Sequence, residues 1–221
     1  PKAIRRLVQV ANEAMPAPTA RRVNTYGRVR IDIELNDIVA PFNGVIVNAS
    51  NADLRPGGGV AGRVWEVCGD DELTNQRSRV IKALPLRPGD AVFTGPGRGA
   101  ELGFTGIIHA LGPRWLSGFD RGRAERGEHQ LSEHGEEDAL IRTWRSVLKV
   151  ADHHDATQIA APMISSGIFG YPVPDNFEIA FNTLYSTPTT VERVVIRTIS
   201  RKTFEQLTLA RRKVREALDI A

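Results

Sequence analysis

Three consecutive glycines, Gly57 to Gly59, separate an apolar run from an amphipathic stretch in the segment IVNASNADLRPGGGVAGRVWE. Because glycine has no Cβ atom, its backbone can approach another group closely and can adopt positive φ angles. The preceding run GVIVNAS, Gly44 to Ser50, is short and almost continuously apolar, which is typical of a buried central strand. The segment therefore predicts a strand, a loop whose backbone lies close to a neighbour, and a helix.

A second glycine-rich loop, SSGIFG from Ser165 to Gly170, follows the predicted strand TQIAAPMIS. In α/β sheets, ligands bind beyond the carboxyl ends of strands, where helix N-termini favour anions. Two such loops predict a site that binds a diphosphate from both sides. Either loop alone is equally consistent with a tight turn between a strand and a helix. Neither loop carries the residues of a phosphate P-loop, and the first does not match GxGxxG.

Predicted strands and helices alternate along the chain, which indicates a single layered α/β domain. With 221 residues, 41% hydrophobic and 25% charged, the chain has the composition of a soluble globular protein with a sizeable core. A short amphipathic helix is predicted at the N-terminus, with Ile4, Leu7, Val8 and Ala11 on one face. The predicted strands cover 29–35, 44–50, 91–96, 106–113, 157–165 and 193–199, and the helices 60–67, 71–82, 138–152, 176–185 and a last one capped by Ser200.

Several function classes are disfavoured by composition. Cys68 is the only cysteine, so no intrachain disulfide can form, and we expect a reducing, cytoplasmic location. A reactive role for this thiol is less consistent with the sequence than packing as a small hydrophobe. No run approaches the roughly 18 apolar residues of a membrane span. The net charge of +3 suits an anionic ligand without requiring a nucleic acid, because the basic residues 211–215 lie on a helix whose predicted buried stripe is Leu207, Ala210, Val214 and Leu218.

Three motifs in this order, VIVNASNADLRPGGGVAG, GIIHALGP and APMISSGIFGYP, resemble the macrodomain family, the ADP-ribose-binding fold. The resemblance extends from about Asp32 to Ile199. It implies a three-layer α/β/α sandwich with a mixed, mostly parallel central sheet, covering 28–221 and preceded by a helical extension at 1–27. It also implies a cleft for ADP-ribose, no metal or redox cofactor, and a monomer.

The same resemblance assigns roles to individual residues. Asp37 would accept a hydrogen bond from the adenine amino group, beside the backbone of Ile38. Asn51 would hold the distal ribose, whereas Asn48 would either touch the ligand or support the loop. Asn51 and Phe169 would serve catalysis. The residues implied to bind the diphosphate and distal ribose are Gly58, Gly59 and Val60 on one side and Ser165, Ser166, Gly167, Ile168, Phe169 and Gly170 on the other.

One position departs from many hydrolases of the family, which carry an aspartate where this chain has Ala61. The combination of GGGVAG with SGIFG is instead similar to coronavirus-type macrodomains, which hydrolyse without that carboxylate. We therefore expect hydrolysis of mono-ADP-ribose from protein Asp or Glu side chains, and the same site could deacetylate O-acetyl-ADP-ribose. A non-catalytic ADP-ribose reader and a module that binds RNA or poly(ADP-ribose) are the alternatives.

The remaining polar candidates have structural explanations. His109 falls within a predicted strand and is expected to be a packed histidine rather than a catalyst. His153 and His154 would form a polar helix terminus rather than a metal site. Asp70 and Asp71 are expected to begin a helix, where a carboxylate can accept from free backbone N–H groups.

Overall fold

The computed structural model describes residues 29–83, 86–115 and 135–220. The helix predicted at the N-terminus and most of the excursion between 114 and 137 lie outside these residues. Within them, no helix is long and apolar enough to cross a membrane. The elements, in chain order, are β1 (Arg30–Leu35), β2 (Gly44–Ala49), α1 (Gly59–Cys68), α2 (Asp71–Ala83), β3 (Ala91–Thr94), a 3₁₀ helix (Gly97–Leu102), β4 (Phe104–Ala110), α3 (Gly135–His153), β5 (Gln158–Ala161), α4 (Asp175–Ser186), β6 (Arg193–Thr198) and α5 (Arg201–Ala217).

Six strands form one sheet in the order β1-β6-β5-β2-β4-β3. Every neighbouring pair is parallel except β3 with β4, which is antiparallel. The mixed, mostly parallel sheet predicted for the chain is therefore confirmed. Because β2 pairs with β4 on one side and β5 on the other, it is a central strand, and its residues Val45 to Asn48 are buried.

Side chains that alternate along the strands supply two cores, one on each face of the sheet. Val45 and Val47 of β2 belong to a cluster with α3, α4 and α5, which contains the fully buried Trp144, Phe177 and Phe181. Ile46 points to the other face, where it packs in a cluster with residues of α1 and α2. This arrangement confirms the three-layer α/β/α sandwich.

Most predicted elements are present, with differences at their ends. The 3₁₀ helix at Gly97–Leu102 was not predicted, and α3 begins at Gly135, three residues before the predicted start. In α5, Leu207, Ala210 and Val214 are buried as predicted, but Leu218 is 41% exposed because it lies at the C-cap, beyond the last helical turn.

The predicted helix starts at Ser200 and Asp70 are confirmed. Ser200 is the N-cap of α5, and its hydroxyl accepts a hydrogen bond from the Thr203 amide at 3.2 Å. Asp70 precedes α2, and its carboxylate accepts from the Leu73 amide at 2.7 Å. Each side chain satisfies one of the free N–H groups that begin a helix.

Replacing Ser200 by alanine should lower the free energy of unfolding by about 0.5–2 kcal/mol, the usual cost of losing an N-cap oxygen. Ser78→Ala is the matched control, since the Ser78 hydroxyl donates to the Thr74 carbonyl inside α2 and caps nothing. Alanine is also the better helix former there. Urea denaturation of the three proteins would measure the difference, and equal midpoints for the two variants would contradict the capping role.

Candidate functional site

A cavity of about 370 Å³ opens between the loops that follow β2 and β5. Both loops leave the carboxyl ends of neighbouring parallel strands, so the sheet brings them together. Eight of the predicted site residues line this cavity: Asn51, Gly58, Gly59, Val60, Ser165, Gly167, Ile168 and Phe169. A larger groove of about 570 Å³ along α5 contains none of them.

The first glycine loop ends at the N-terminus of α1. Gly58 is the N-cap residue, and no side chain caps this helix end. The first N–H groups of α1 therefore have no partner within the helix. Gly59 has φ = +61°, a conformation that side chains other than glycine rarely adopt. Behind the loop, a Cβ on Gly62 would lie 2.1 Å from the Gly57 carbonyl oxygen, so the helix packs directly on the loop backbone.

The second loop is held by its own backbone and by two neighbours. The Tyr171 amide donates to the Ser165 carbonyl at 2.9 Å, and the Asn176 side chain donates to the Ile164 carbonyl at 2.9 Å. The Trp115 amide donates to the Phe169 carbonyl at 2.8 Å. Ser165 itself has φ = +67°, a strained conformation for a residue other than glycine and one often found at binding sites. The Ser165 side chain fits only because residue 112 is a glycine, since a Cβ at that residue would lie 2.2 Å from the Ser165 hydroxyl oxygen.

This bonding leaves backbone donors free at the loop tip. Within the described part of the chain, the amides of Gly167, Ile168 and Phe169 make no hydrogen bond. The Ile168 side chain is 69% exposed, and its Cδ1 would lie 3.0 Å from a Cβ on Gly58 across the cavity. Backbone amides without a partner among the described residues thus belong to two loops that line one cavity, and one of these loops begins a helix. Such a geometry suits an anion with oxygen atoms on two sides.

Asn51 lines the cavity, but its side chain is already engaged. Its Nδ2 donates to the Arg55 carbonyl at 2.9 Å, and its Oδ1 accepts from the Arg55 amide at 2.9 Å. The amide thus closes the turn between 51 and 55. A second N–H and a second lone pair remain for a ligand. The other proposed catalytic residue, Phe169, lines the cavity and packs against the small cluster that contains Leu54.

Three predicted binding residues support the cavity rather than line it. Asn48 is fully buried, with its Nδ2 3.0 Å from His109 Nδ1, a position that fits the supporting alternative considered for it. The Ser166 hydroxyl donates to the Met163 carbonyl at 2.9 Å. Gly170 has φ = +66°, and its amide donates to the Gly167 carbonyl, so it closes the loop.

Asp37 and Ile38 lie outside the cavity, on the loop between β1 and β2. The Asp37 Oδ1 accepts from the Val39 amide at 3.1 Å, and its Oδ2 accepts from Arg63 Nε of α1 at 3.0 Å. Ile38 is buried in the core between the sheet and α1. The ion pair with Arg63 was not predicted, since a helical arginine 26 positions away gives no local signal. Three further residues of the quoted motifs line the cavity but were not predicted as site residues. They are Gly112, Met163 and Ile164.

His109 is the packed histidine that the sequence predicted. It is completely buried, and burial lowers its pKa to about 4, so the ring is neutral at pH 7. Since an amide nitrogen can only donate, Asn48 donates to Nδ1, and Nε2 donates to the Thr94 hydroxyl at 2.9 Å. Cys68 is likewise buried, and burial raises the pKa of its thiol to about 11. Neither group is available for chemistry in the cavity.

The chemistry of the cavity wall is unusual for a site that would catalyse hydrolysis. Among the described residues that line it, none is acidic, basic, a histidine or a cysteine. Ala61 is 6% exposed and occupies the wall where a carboxylate could have stood. The wall is mostly apolar, with Ser50, Asn51 and Ser165 as its polar side chains. What the site offers a ligand is therefore apolar surface, a few polar side chains and backbone amides rather than a charged side chain.

The Macro domain family model matches residues 47–180. An uncharacterised protein of Thermoplasma acidophilum is 36% identical over 151 residues, which cover 66% of this chain and 67% of that protein. A macro domain-containing protein of Listeria monocytogenes is 36% identical over 157 residues, covering 71% and 79%. A protein of Cronobacter turicensis named O-acetyl-ADP-ribose deacetylase is 33% identical over 155 residues, covering 70% and 78%.

Solved structures share the fold. A mutant of the Oceanobacillus iheyensis macrodomain with ADP-ribose superposes with a TM-score of 0.70 at 23% identity, covering 88% of this chain and 98% of that one. A Trypanosoma brucei macrodomain in complex with ADP gives a TM-score of 0.63 at 18% identity, covering 82% and 68%.

The burial of His109 predicts a pH dependence of stability. Its pKa is about 4 in the folded protein, against 6.5 for the ordinary group. Between these values the unfolded chain binds a proton that the folded chain does not, so the free energy of unfolding should fall as the pH is lowered from 6.5 to 4. The slope from this group approaches about 1.4 kcal/mol per pH unit.

His109→Gln removes the titrating group while keeping a donor and an acceptor. Its free energy of unfolding, measured by urea denaturation at several pH values, should lose that part of the slope. The comparison isolates His109 because the pKa of His154 is also lowered by burial and is common to both proteins. Parallel curves for the wild type and the variant would show that His109 is not a buried neutral ring.

Proposed function

Because this chain belongs to the macrodomain family, we propose that its cavity binds ADP-ribose and that the protein hydrolyses mono-ADP-ribose from Asp or Glu side chains of modified proteins. The observation that carries the proposal is the pair of glycine-rich loops that line one cavity, with backbone amides that have no hydrogen-bond partner among the described residues. Structures with ADP-ribose or ADP in the same fold support the ligand. Relatives named O-acetyl-ADP-ribose deacetylase support a hydrolase.

The ligand would run along the cleft between the two loops. Its diphosphate would accept hydrogen bonds from the α1 N-terminus at Gly58 to Val60 and from the loop amides of Gly167 to Phe169. The distal ribose would lie beside Asn51 and Phe169, at the end of the cavity that also contains Ala61. The adenine would leave the cavity toward Asp37. In this orientation the diphosphate charge is compensated by backbone dipoles, with no cationic side chain in the wall.

The reaction would be attack by a water molecule at C1″ of the distal ribose. The bond between C1″ and the carboxylate oxygen of the modified side chain breaks, and the products are ADP-ribose and a free Asp or Glu. Because the described wall offers no side-chain base, a phosphate oxygen of the substrate would accept the proton of the water. The protein would contribute positioning by Asn51 and Phe169 and stabilisation of charge by the loop amides.

O-acetyl-ADP-ribose would use the same site, since it too carries an ester on the distal ribose. The two substrates differ in the ribose position that bears the ester and in the group it carries, which is a protein side chain at C1″ in one and an acetyl group on a ribose hydroxyl in the other. Water would attack C1″ in the first and the acetyl carbonyl carbon in the second, releasing acetate. Parallel assays with both substrates would decide which the site prefers.

A non-catalytic reader of ADP-ribosylated proteins is the second candidate, and Ala61 is the observation that favours it. Incubation of the protein with a glutamate-modified substrate, followed by measurement of the ADP-ribose that remains, separates the two. Binding to RNA or poly(ADP-ribose) would be a further property, which a steep loss of affinity with salt would reveal.

Binding should depend on the first glycine loop. ADP-ribose should raise the melting temperature of the wild type, because a ligand that binds only the folded state stabilises it. Gly59→Glu should nearly abolish this shift, since it places a negative charge and a side chain where the diphosphate would lie. Gly135→Glu is the matched control, because that glycine also has a positive φ, has no atom of the described residues within 4 Å of an added Cβ, and does not line the cavity.

Circular dichroism must show that both variants are folded, since glutamate at φ = +61° is strained by itself. If a folded Gly59→Glu protein showed the same ADP-ribose-induced rise in melting temperature as the wild type, the diphosphate would not lie at this loop. No shift of the wild type at millimolar ADP-ribose would contradict the proposed ligand.

Catalysis should depend on Asn51 more than binding does. An interaction that matters mainly in the transition state lowers the rate more than the affinity when it is removed. Asn51→Ala should therefore keep ADP-ribose affinity within about tenfold but lose roughly a hundredfold or more in hydrolysis. Phe169→Ala should change in the same direction, less severely.

Asn51→Asp keeps one of the two bonds that close the turn, because its carboxylate can accept from the Arg55 amide but cannot donate to the Arg55 carbonyl. Circular dichroism and melting temperatures of both variants must therefore show that the fold is kept. Calorimetry with free ADP-ribose and release of ADP-ribose from a glutamate-modified protein give the two numbers. Equal losses of affinity and of hydrolysis rate would mean that Asn51 acts only in binding.

A further inference from the structure

Arg197 is a buried arginine far in sequence from every residue of the cavity. It lies on β6, and its side chain is only 4% exposed. Its Nε donates to Glu34 Oε2 at 3.0 Å, and its guanidinium carbon lies 5.1 Å from the centre of the Phe42 ring. A buried guanidinium is costly unless its donors are satisfied. The way in which they are satisfied indicates what this residue does.

Three backbone carbonyls accept three of the four remaining N–H groups, and all belong to one short loop. Nη1 donates to the Ala40 carbonyl at 2.7 Å and to the Ile38 carbonyl at 3.5 Å, and Nη2 donates to the Pro41 carbonyl at 3.3 Å. An ion pair with Glu34 alone would need none of these contacts. The planar fork of arginine is suited to such a set of fixed acceptors, whereas a lysine ammonium is a single point of charge.

The same loop carries Asp37. The Asp37 carboxylate accepts from the Val39 amide, and the backbone carbonyl of the same residue accepts from the Ala40 amide at 3.1 Å. These two bonds make Asp37 and the carbonyls that Arg197 holds parts of one tight turn. The side chains of Ile38, Val39 and Phe42 anchor the turn in the core, and Arg197 fixes its backbone. The direction of the Asp37 carboxylate therefore depends on this turn, which Arg197 holds from the core, as well as on Arg63, which binds the carboxylate itself at 3.0 Å.

We propose that Arg197 is a positioning residue for recognition of the base, and that through this turn it holds Asp37 where the carboxylate distinguishes adenine from hypoxanthine. The inference rests on the proposed function, in which adenine meets Asp37. Adenine presents an amino group at position 6, which a carboxylate accepts. Hypoxanthine presents a carbonyl oxygen at that position, which a carboxylate repels. Discrimination of this kind requires the carboxylate to be held in place.

The test compares the affinities for ADP and IDP by calorimetry. The wild type should bind ADP at least about tenfold more tightly than IDP. Arg197→Lys should reduce this ratio of affinities at least about fivefold. The reduction should come mainly from weaker binding of ADP, while the affinity for IDP changes no more than about twofold. A merely structural role would lower the melting temperature without changing the ratio, so the ratio is the readout that identifies positioning.

Arg193→Lys is the matched control. Arg193 lies on the same strand and pairs with Asp32 at 2.7 Å and with Glu34 at 3.6 Å. Among the described residues, Arg193 donates to Gln158 and to none of the loop carbonyls that Arg197 binds. Its substitution therefore perturbs an ion pair of the same strand and should leave the ADP to IDP ratio unchanged. A second variant, Glu34→Gln with Arg197→Met, removes both charges of the pair, so that neither partner is left as an unpaired charge, and it too should lose the preference for ADP over IDP.

The outcomes are distinct. A folded Arg197→Lys or double variant that keeps the wild-type ratio overturns the inference, as does an equal loss in Arg193→Lys. A wild type that binds ADP-ribose but does not distinguish ADP from IDP also overturns it and leaves the proposed function standing. A wild type that does not bind ADP-ribose at all contradicts the proposed function itself, and the inference fails with it.

Discussion

The parallel pairing of β2 with β5 is the contact on which the candidate site depends. Val45 pairs with Ile159 and Ile46 with Ala160, in the middle of the sheet. Because both strands run in the same direction, their carboxyl ends, and the two glycine-rich loops that follow, lie side by side. Neither loop could form this cavity by itself, because residues of both loops line it. The site is a property of strand order, and the apolar residues that bury β2 on both faces secure it.

Local patterns in the sequence predicted the elements well because each strand and helix carries its own signal. The apolar run before Asn51 and the helical spacing of Leu140, Trp144 and Leu148 each correspond to an element of the fold. The 3₁₀ helix at Gly97–Leu102 was missed because its composition, rich in glycine, has no hydrophobic period. Strand order itself has no local signal and was not predicted; the family resemblance supplied only the three layers and the mixed, mostly parallel sheet.

The candidate site was predictable where its residues are close in sequence. The glycine loops and Phe169 lie together as the motifs imply. The engagement of Asn51 with Arg55, the burial of Asn48 beside His109 and the pairing of Asp37 with Arg63 were not predictable. The second and third of these join residues that only the fold brings together, and the first depends on the path of a turn. Arg197, 159 positions from Ile38, is the extreme case of a contact that no motif contains.

A Cβ on Gly58 would lie 3.0 Å from the Ile168 Cδ1, so the two glycine-rich loops approach each other at this point. Ile168 is 69% exposed, so this large apolar residue gains little from burial where it stands. A molecule that entered the cavity beside it would remove part of this apolar surface from water. That part of the affinity would come from the hydrophobic effect, in a site whose other contacts are mainly with the backbone.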